Sequence, residues 1–89
     1  MEVKFSKPFE KDFTAISTNK NLVLKVDELI QQFQKSDSLL KIEGIKRLKG
    51  HAHCYRIRIG HYRLGLLVEG KVVWLARLLH RKEIYRYFP

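Results

Sequence analysis

The strongest constraint on this chain is the stretch Cys54-Tyr55-Arg56-Ile57-Arg58-Ile59-Gly60-His61-Tyr62-Arg63-Leu64. Its period of two is that of a half-buried strand, and Gly60-His61 interrupts it where a turn is needed. In the first strand Tyr55, Ile57 and Ile59 share one face, and Arg56 and Arg58 share the other. In the second, Tyr62, Leu64, Leu66 and Val68 form one face and Arg63 stands opposite. Antiparallel pairing about this turn brings three guanidinium groups close together on one sheet surface. Like charges facing each other across strands normally destabilise a sheet. Two readings account for them here. Either they grip an anion, above all a phosphate, which suits arginine's planar fork, or they solubilise the wet face of the sheet.

The rest of the chain supplies a core for that hairpin. From Glu2 to Ser6 the apolar residues Val3 and Phe5 alternate with polar ones, which predicts a short first strand. Ser6 followed by Pro8 marks a helix start. Phe9, Phe13 and Ile16 then recur at helical spacing to about Ser17, with Lys7, Glu10, Lys11 and Asp12 on the outside. Residues 18–21 are a polar break. Beyond it Leu22, Val26, Leu29, Ile30 and Phe33 predict a second helix to about Lys35, and hence a helical hairpin. Leu39, Leu40 and Ile42 read as apolar pins holding a loop to the body. Residues 43–50 are an irregular connection or a brief strand. Glu69-Gly70 turns the chain into its most apolar strand, Lys71 to Leu79, which is expected to be central or well covered. The order predicts one α+β domain over residues 1–89: an N-terminal strand and a two-helix hairpin laid on a mostly antiparallel sheet, the arginines on its other face.

Charge bears on partners rather than fold. Eighteen Lys+Arg against nine Asp+Glu give a formal +9, which favours nucleic acid or acidic protein surfaces. No apolar run approaches the ~20 residues that cross a bilayer, and the first residues lack the apolar stretch of a signal peptide. A cytoplasmic protein without membrane partners is expected. The lone Cys54 reads as a small buried apolar residue in a reducing compartment. His51, His53 and His61 flank the hairpin, but no cysteine or carboxylate at metal-ligand spacing joins them, so neither metal nor cofactor is expected. Lys46, Arg47 and Lys49 read as charges that steer RNA phosphates, or as solvated ones. Trp74, in the apolar strand, is assigned to the core rather than to base stacking.

Leu48-Lys49-Gly50, the run Tyr55–Leu64 and the closing His80-Arg81-Lys82-Glu83-Ile84-Tyr85 together resemble the RelE/ParE-type toxins of bacterial toxin–antitoxin pairs. The resemblance is specific over the C-terminal half, and the order of elements agrees throughout. It implies the RelE-like fold and a cognate antitoxin. It also implies one of two activities. RelE-like members cut messenger RNA, usually in the ribosomal A site; ParE-like members inhibit DNA gyrase without cutting RNA. On the RNA-cutting reading, the resemblance places the basic residues of the site on Arg56, Arg58 and Arg63, a later one near Arg81, and a tyrosine on Tyr85. The first pair are often lysines in that class and are arginines here. A non-catalytic RNA-binding module remains a third reading.

The implied chemistry is attack of an RNA 2′-hydroxyl on its own adjacent phosphate, giving a 2′,3′-cyclic phosphate and a free 5′-hydroxyl. It needs a proton acceptor, donors for the extra negative charge and help for the leaving oxygen. Arginines stay charged and so suit the second task. For the acceptor there are two candidates. A free phenol ionises near 10 and needs nearby cations to act as a base, which the arginines supply to Tyr85; an imidazole near 6.5 makes His80 the rival. Tyr85, Tyr87 and Phe88 also admit a plainer role, as an anchor of the tail on the sheet edge.

Overall fold

Gly60 and His61 close the hairpin in the computed structural model, which describes residues 1–89. Gly60 has φ of 58° and His61 a negative φ, the pattern of a type II′ turn, whose twist suits the flanking strands. The element order is β1 (Glu2–Phe5), α1 (Lys7–Ala15), α2 (Lys20–Lys35), a 3-10 turn (Leu39–Lys41), β2 (Ile45–Arg47), β3 (Cys54–Ile59), β4 (Tyr62–Glu69), β5 (Val72–His80) and α3 (Ile84–Tyr87). The strands form one sheet in the order β1-β5-β4-β3-β2. Only β1 and β5 run parallel, so the sheet is mixed and mostly antiparallel, as expected. The stretch from 43 to 50 does contain a brief strand, at the sheet edge.

The helices start where capping chemistry dictates. Ser6 Oγ accepts from the Phe9 amide at 3.1 Å and donates to the Ala76 carbonyl at 2.8 Å, so one hydroxyl caps α1 and ties it to β5. Asn19 Oδ1 accepts from the Leu22 amide at 3.2 Å and starts α2. The amine of Met1 donates to the carbonyls of Phe33 and Ser36, setting a cation at the C-terminus of α2, where the helix dipole favours one. Phe9, Leu22, Val26 and Phe33 from the helices meet Ile57, Leu64, Leu66, Val73, Leu75 and Leu78 from the sheet in the main core.

Three expectations about packing are corrected. Leu40 is 89% exposed, so only Leu39 and Ile42 pin their loop. Asp12 is not an outward charge on α1: its carboxylate accepts from Arg77 Nε at 2.8 Å, Arg77 Nη2 at 3.1 Å and the Leu78 amide at 2.9 Å. Trp74 is not core but half-buried on the face away from the helices, with Lys4 Nζ 5.4 Å from its ring centroid. The first and last of these follow from geometry that periodicity does not carry. Leu40 follows the buried Leu39 in a 3-10 turn, whose three residues per turn send adjacent side chains in different directions. Trp74 takes the face opposite Val73 and Leu75, and only part of that face is covered.

The Asp12 contacts belong to a bulge in β5. Gly65 pairs with Arg77 and Leu66 with Leu75, which leaves Ala76 as the extra residue. The bulge inverts the alternation of β5. Val73 and Leu75 face the helices before it and Leu78 after it, while Ala76 and Leu79 turn to the other face. There α3 crosses the sheet. Ile84 and Phe88 bury themselves against Cys54, Leu48, Leu67, Ala76 and Leu79 in a second, smaller core.

Candidate functional site

Register decides which basic side chains meet. Arg58 of β3 lies directly opposite Arg63 of β4, and Arg56 opposite Gly65. Lys46 of β2 is opposite Arg56. Paired residues share a face with Cβ atoms about 5 Å apart, so Lys46, Arg56, Arg58 and Arg63 form one basic patch. Arg47 does not join it, because it pairs with Tyr55, whose ring packs toward the helices. Lys49 follows β2 in an exposed turn, in the loop that enters β3. His51 and His53 lie in that same loop, at the opposite end of β3 from His61.

Arg63 is the exception to the expected open face. It is 8% exposed, and its Nη1 donates to the carbonyls of Gly60 and Tyr62, each at 2.9 Å. The side chain curls back and closes its own turn. Burial, then the charges of Arg58 and Arg56 and more weakly that of Arg81, pull its guanidinium below the ordinary arginine value, while the Tyr85 oxygen opposes them. Five groups thus share one field: Arg56, Arg58, Arg63, Arg81 and Tyr85. The ion pairs of the protein lie elsewhere, at Lys41–Asp37, Arg77–Asp12 and Arg86–Glu83. No member of the patch is in an ion pair with a carboxylate.

The tail reaches the patch by a short route. The Arg81 amide donates to the His61 carbonyl at 2.7 Å, which sets the tail's first residue beside the hairpin turn. Tyr85 is 59% exposed and Tyr87 54%, so neither is the anchor; Ile84 and Phe88 are. His80 sits apart from the arginines. It pairs with Tyr62, meets that ring edge-on at 5.7 Å, stacks on His61 at 6.0 Å, and accepts the Lys82 amide at Nδ1. Tyr62 packs on the helix-side core, so His80 belongs to that side of the sheet.

Two recesses border the patch. One of about 320 Å³ is lined by Gly44, Ile45, Lys46, Arg56 and Arg58 and extends the basic surface toward β2. A larger one of about 550 Å³ lies between α2 and the edge of β3, where Glu28 and Glu43 stand among its walls. Lys25 and Arg58 in the same walls offset those carboxylates, whereas the smaller recess carries basic charge alone and is the better continuation of the site for a phosphate.

Sequence reasoning missed two participants, Gly65 and Asp12 as the partner of Arg77, while of the three aromatic residues it offers as the tail's anchor only Phe88 is buried. A signal existed for one of them. A glycine inside a strand pattern marks close approach by another group, and a Cβ on Gly65 would lie 2.7 Å from the ring of Phe88.

Comparison with known proteins agrees with this architecture. Residues 3–85 match the family model described as the ParE toxin of type II toxin–antitoxin system, parDE. The chain is 43% identical over 91 aligned residues to Toxin RelE3 of Methanocaldococcus jannaschii, covering 100% of both. It superposes on a chain of the crystal structure of the RelB-RelE antitoxin–toxin complex from Methanococcus jannaschii with a TM-score of 0.79 and 40% identity, over 97% of this chain and 99% of that one. A chain of the E. coli DinJ-YafQ toxin–antitoxin complex matches in fold alone, with a TM-score of 0.77 at 13% identity over 94% of this chain and 96% of that one. A full-length match in sequence, together with the same helix-on-sheet architecture, makes this chain a toxin of type II toxin–antitoxin systems, in the RelE/ParE family.

Proposed function

We propose that this toxin is a metal-independent endoribonuclease that cuts messenger RNA at the ribosomal A site in the cytoplasm. The observation that carries the reading is the convergence of Arg56, Arg58, Arg63 and Arg81 with Tyr85, none of the arginines being in an ion pair. The lowered value of Arg63 reflects burial together with like charges held near one another, a cost that a bound anion relieves. A surface that only needs to be soluble has no reason to assemble four guanidinium groups without an ion-pair partner.

In the proposed reaction Tyr85, as the phenolate, accepts the 2′-hydroxyl proton. The 2′-oxygen then attacks the adjacent phosphorus while the bond to the 5′-oxygen breaks. Arg56 and Arg58, half-exposed and exposed, hold the non-bridging oxygens as charge accumulates. Arg81 stabilises the leaving 5′-oxygen, which takes its proton from solvent. Arg63 acts from beneath, through its charge and by holding the turn. Lys46, with the basic recess beside it, receives a neighbouring phosphate; Arg47 and Lys49 contribute only long-range attraction. His80, on the other side of the sheet, has no part in proton transfer. A cognate antitoxin is the expected partner, because a relative at 40% identity crystallises with RelB, and a +9 chain binds polyanions indiscriminately unless it is covered.

A second reading, inhibition of DNA gyrase without RNA cleavage, has in its favour the ParE description of the matching family model. One experiment separates the two. Purified protein is incubated with translating ribosomes and RNA 5′ ends are mapped, beside a gyrase supercoiling assay. Cleavage that leaves 5′-hydroxyl ends, a rate still climbing above pH 7, and loss of activity in Tyr85→Phe but not in His80→Ala are the expected results. Intact RNA with blocked supercoiling establishes the second reading instead.

A further inference from the structure

Tyr85 sits on a helix of four residues, Ile84–Tyr87, far too short to hold its own shape. Something outside α3 must fix it if the phenol is to stay beside Arg63. On one side Ile84 is fully buried, and on the other Phe88 is 6% exposed and its ring occupies the space where a Cβ of Gly65 would stand. The three heavy atoms nearest to a Cβ at Gly65, at 2.7–2.9 Å, all belong to the Phe88 ring. Any side chain there displaces it. Gly65 is also the residue opposite Arg56, in the middle of the basic face, where every other β3–β4 position carries a side chain. Its emptiness is the seat for the ring.

We propose that Gly65 and Phe88 form a latch that positions Tyr85 against the arginine cluster, making both of them positioning residues for the cleavage reaction. The latch has a second hold. Arg77, opposite Gly65 at the bulge, stands 5.4 Å from the ring centroid of Tyr87 and is itself fixed by the fork from Asp12. Tyr85 therefore lies between residues tied down on both sides, and its distance from the arginines is set by contacts it does not itself make.

The inference rests on the catalytic reading of Tyr85, so its test carries one arm that does not depend on catalysis. Gly65→Ala is expected to lower kcat about 10- to 100-fold, the scale of a small misplacement of a reacting group, with KM within about twofold because the arginines are untouched. Hydrogen exchange at the amides of Arg86 and Phe88, which donate to Glu83 and Ile84, is expected to quicken at least tenfold, while the amides of β4 and β5 keep their protection. Gly65→Ala combined with Phe88→Leu, which makes room for the new methyl, is expected to regain both kcat and tail protection. In a Tyr85→Phe background Gly65→Ala is expected to cost nothing further. A folded Gly65→Ala protein with wild-type exchange in the tail overturns the latch whatever its activity. So does a double variant no better than the single one. If tail exchange behaves as expected but Tyr85→Phe cleaves at the wild-type rate, the latch to the tail stands, the catalytic reading of Tyr85 fails, and with it the positioning role.

Discussion

On the helix side of the sheet, Leu64, Leu66, Val73, Leu75 and Leu78 meet Phe9, Val26 and Phe33 in a cluster whose buried members are all apolar. On the other side the three buried members Cys54, Ile84 and Phe88 share the surface with Arg56, Arg58 and Arg63. The first face is large and redundant. Its stability comes from removing apolar area from water, and no single pair defines it. The second is a mosaic in which a short tail covers one half and leaves a basic, partly buried patch in the other. The contrast separates the parts of the molecule that hold it folded from the parts assigned to chemistry. It also identifies the residues that do both.

The comparison breaks most visibly at its extremes. Phe33→Ala, in the first core, is expected to cost about 3–5 kcal/mol of stability, read by denaturant unfolding. Cleavage per folded molecule is expected to stay at the wild-type level, and a selective loss of activity in that variant would erase the division between faces. Arg58→Ala is expected to do the reverse: a 10²- to 10³-fold loss of cleavage, about 2.7–4 kcal/mol in the transition state, with stability changed by no more than about 0.5 kcal/mol, as at an exposed site. Unaltered cleavage by a folded Arg58→Ala protein removes the basic patch from the mechanism.

Arg63 sharpens the comparison because it belongs to both sides of it. Its hydrogen bonds to Gly60 and Tyr62 make Arg63→Ala destabilising by about 1–3 kcal/mol, in addition to its effect on cleavage. A variant that loses activity with no change in melting temperature would show that the turn does not need those bonds. The smallest effect belongs to neither face. Lys41 holds the Asp37 carboxyl below its ordinary value of 3.8, first by a hydrogen bond and then by its charge, both side chains being exposed. The sign follows from that depression: the pair stabilises above the ordinary value, and its contribution disappears as pH falls through the folded one. Asp37→Asn is expected to leave the melting temperature nearly unchanged at pH 7, as is usual for a surface pair, with any difference gone in acid.

The period-two alternation about Gly60-His61 and the helical spacing of Leu22, Val26 and Phe33 were enough to predict the hairpin, the helical pair and their order, because each is local: a strand or helix face is written in neighbouring residues. The placing of Arg56, Arg58 and Arg63 on one face followed from the same alternation, and the resemblance added Arg81 and Tyr85 to them. The assignment of Arg63 to an open surface failed because the alternation of a strand says which way a side chain leaves the backbone, not whether it then turns back to its own carbonyls. Arg47 reads in sequence as a charge that steers phosphates or is merely solvated, and His80 as a rival proton acceptor, yet pairing with Tyr55 and Tyr62 carries each toward the helices.

What only the tertiary structure decided concerns contacts between segments far apart in the chain. The bulge at Ala76 cannot be read from β5 alone, since it depends on how β4 and β5 pair, and it is what brings Arg77 to Asp12 across 65 positions. The seat of Phe88 on Gly65 likewise joins two stretches with no shared periodicity. Sequence by itself determined the sheet, its helical cover and the charge on its far face, because burial of apolar side chains acts through patterns along the chain. Which of those charges stand free, which are folded back, and what holds the tyrosine among them depended on long-range packing, where a missing Cβ or one extra residue in a strand decides the outcome.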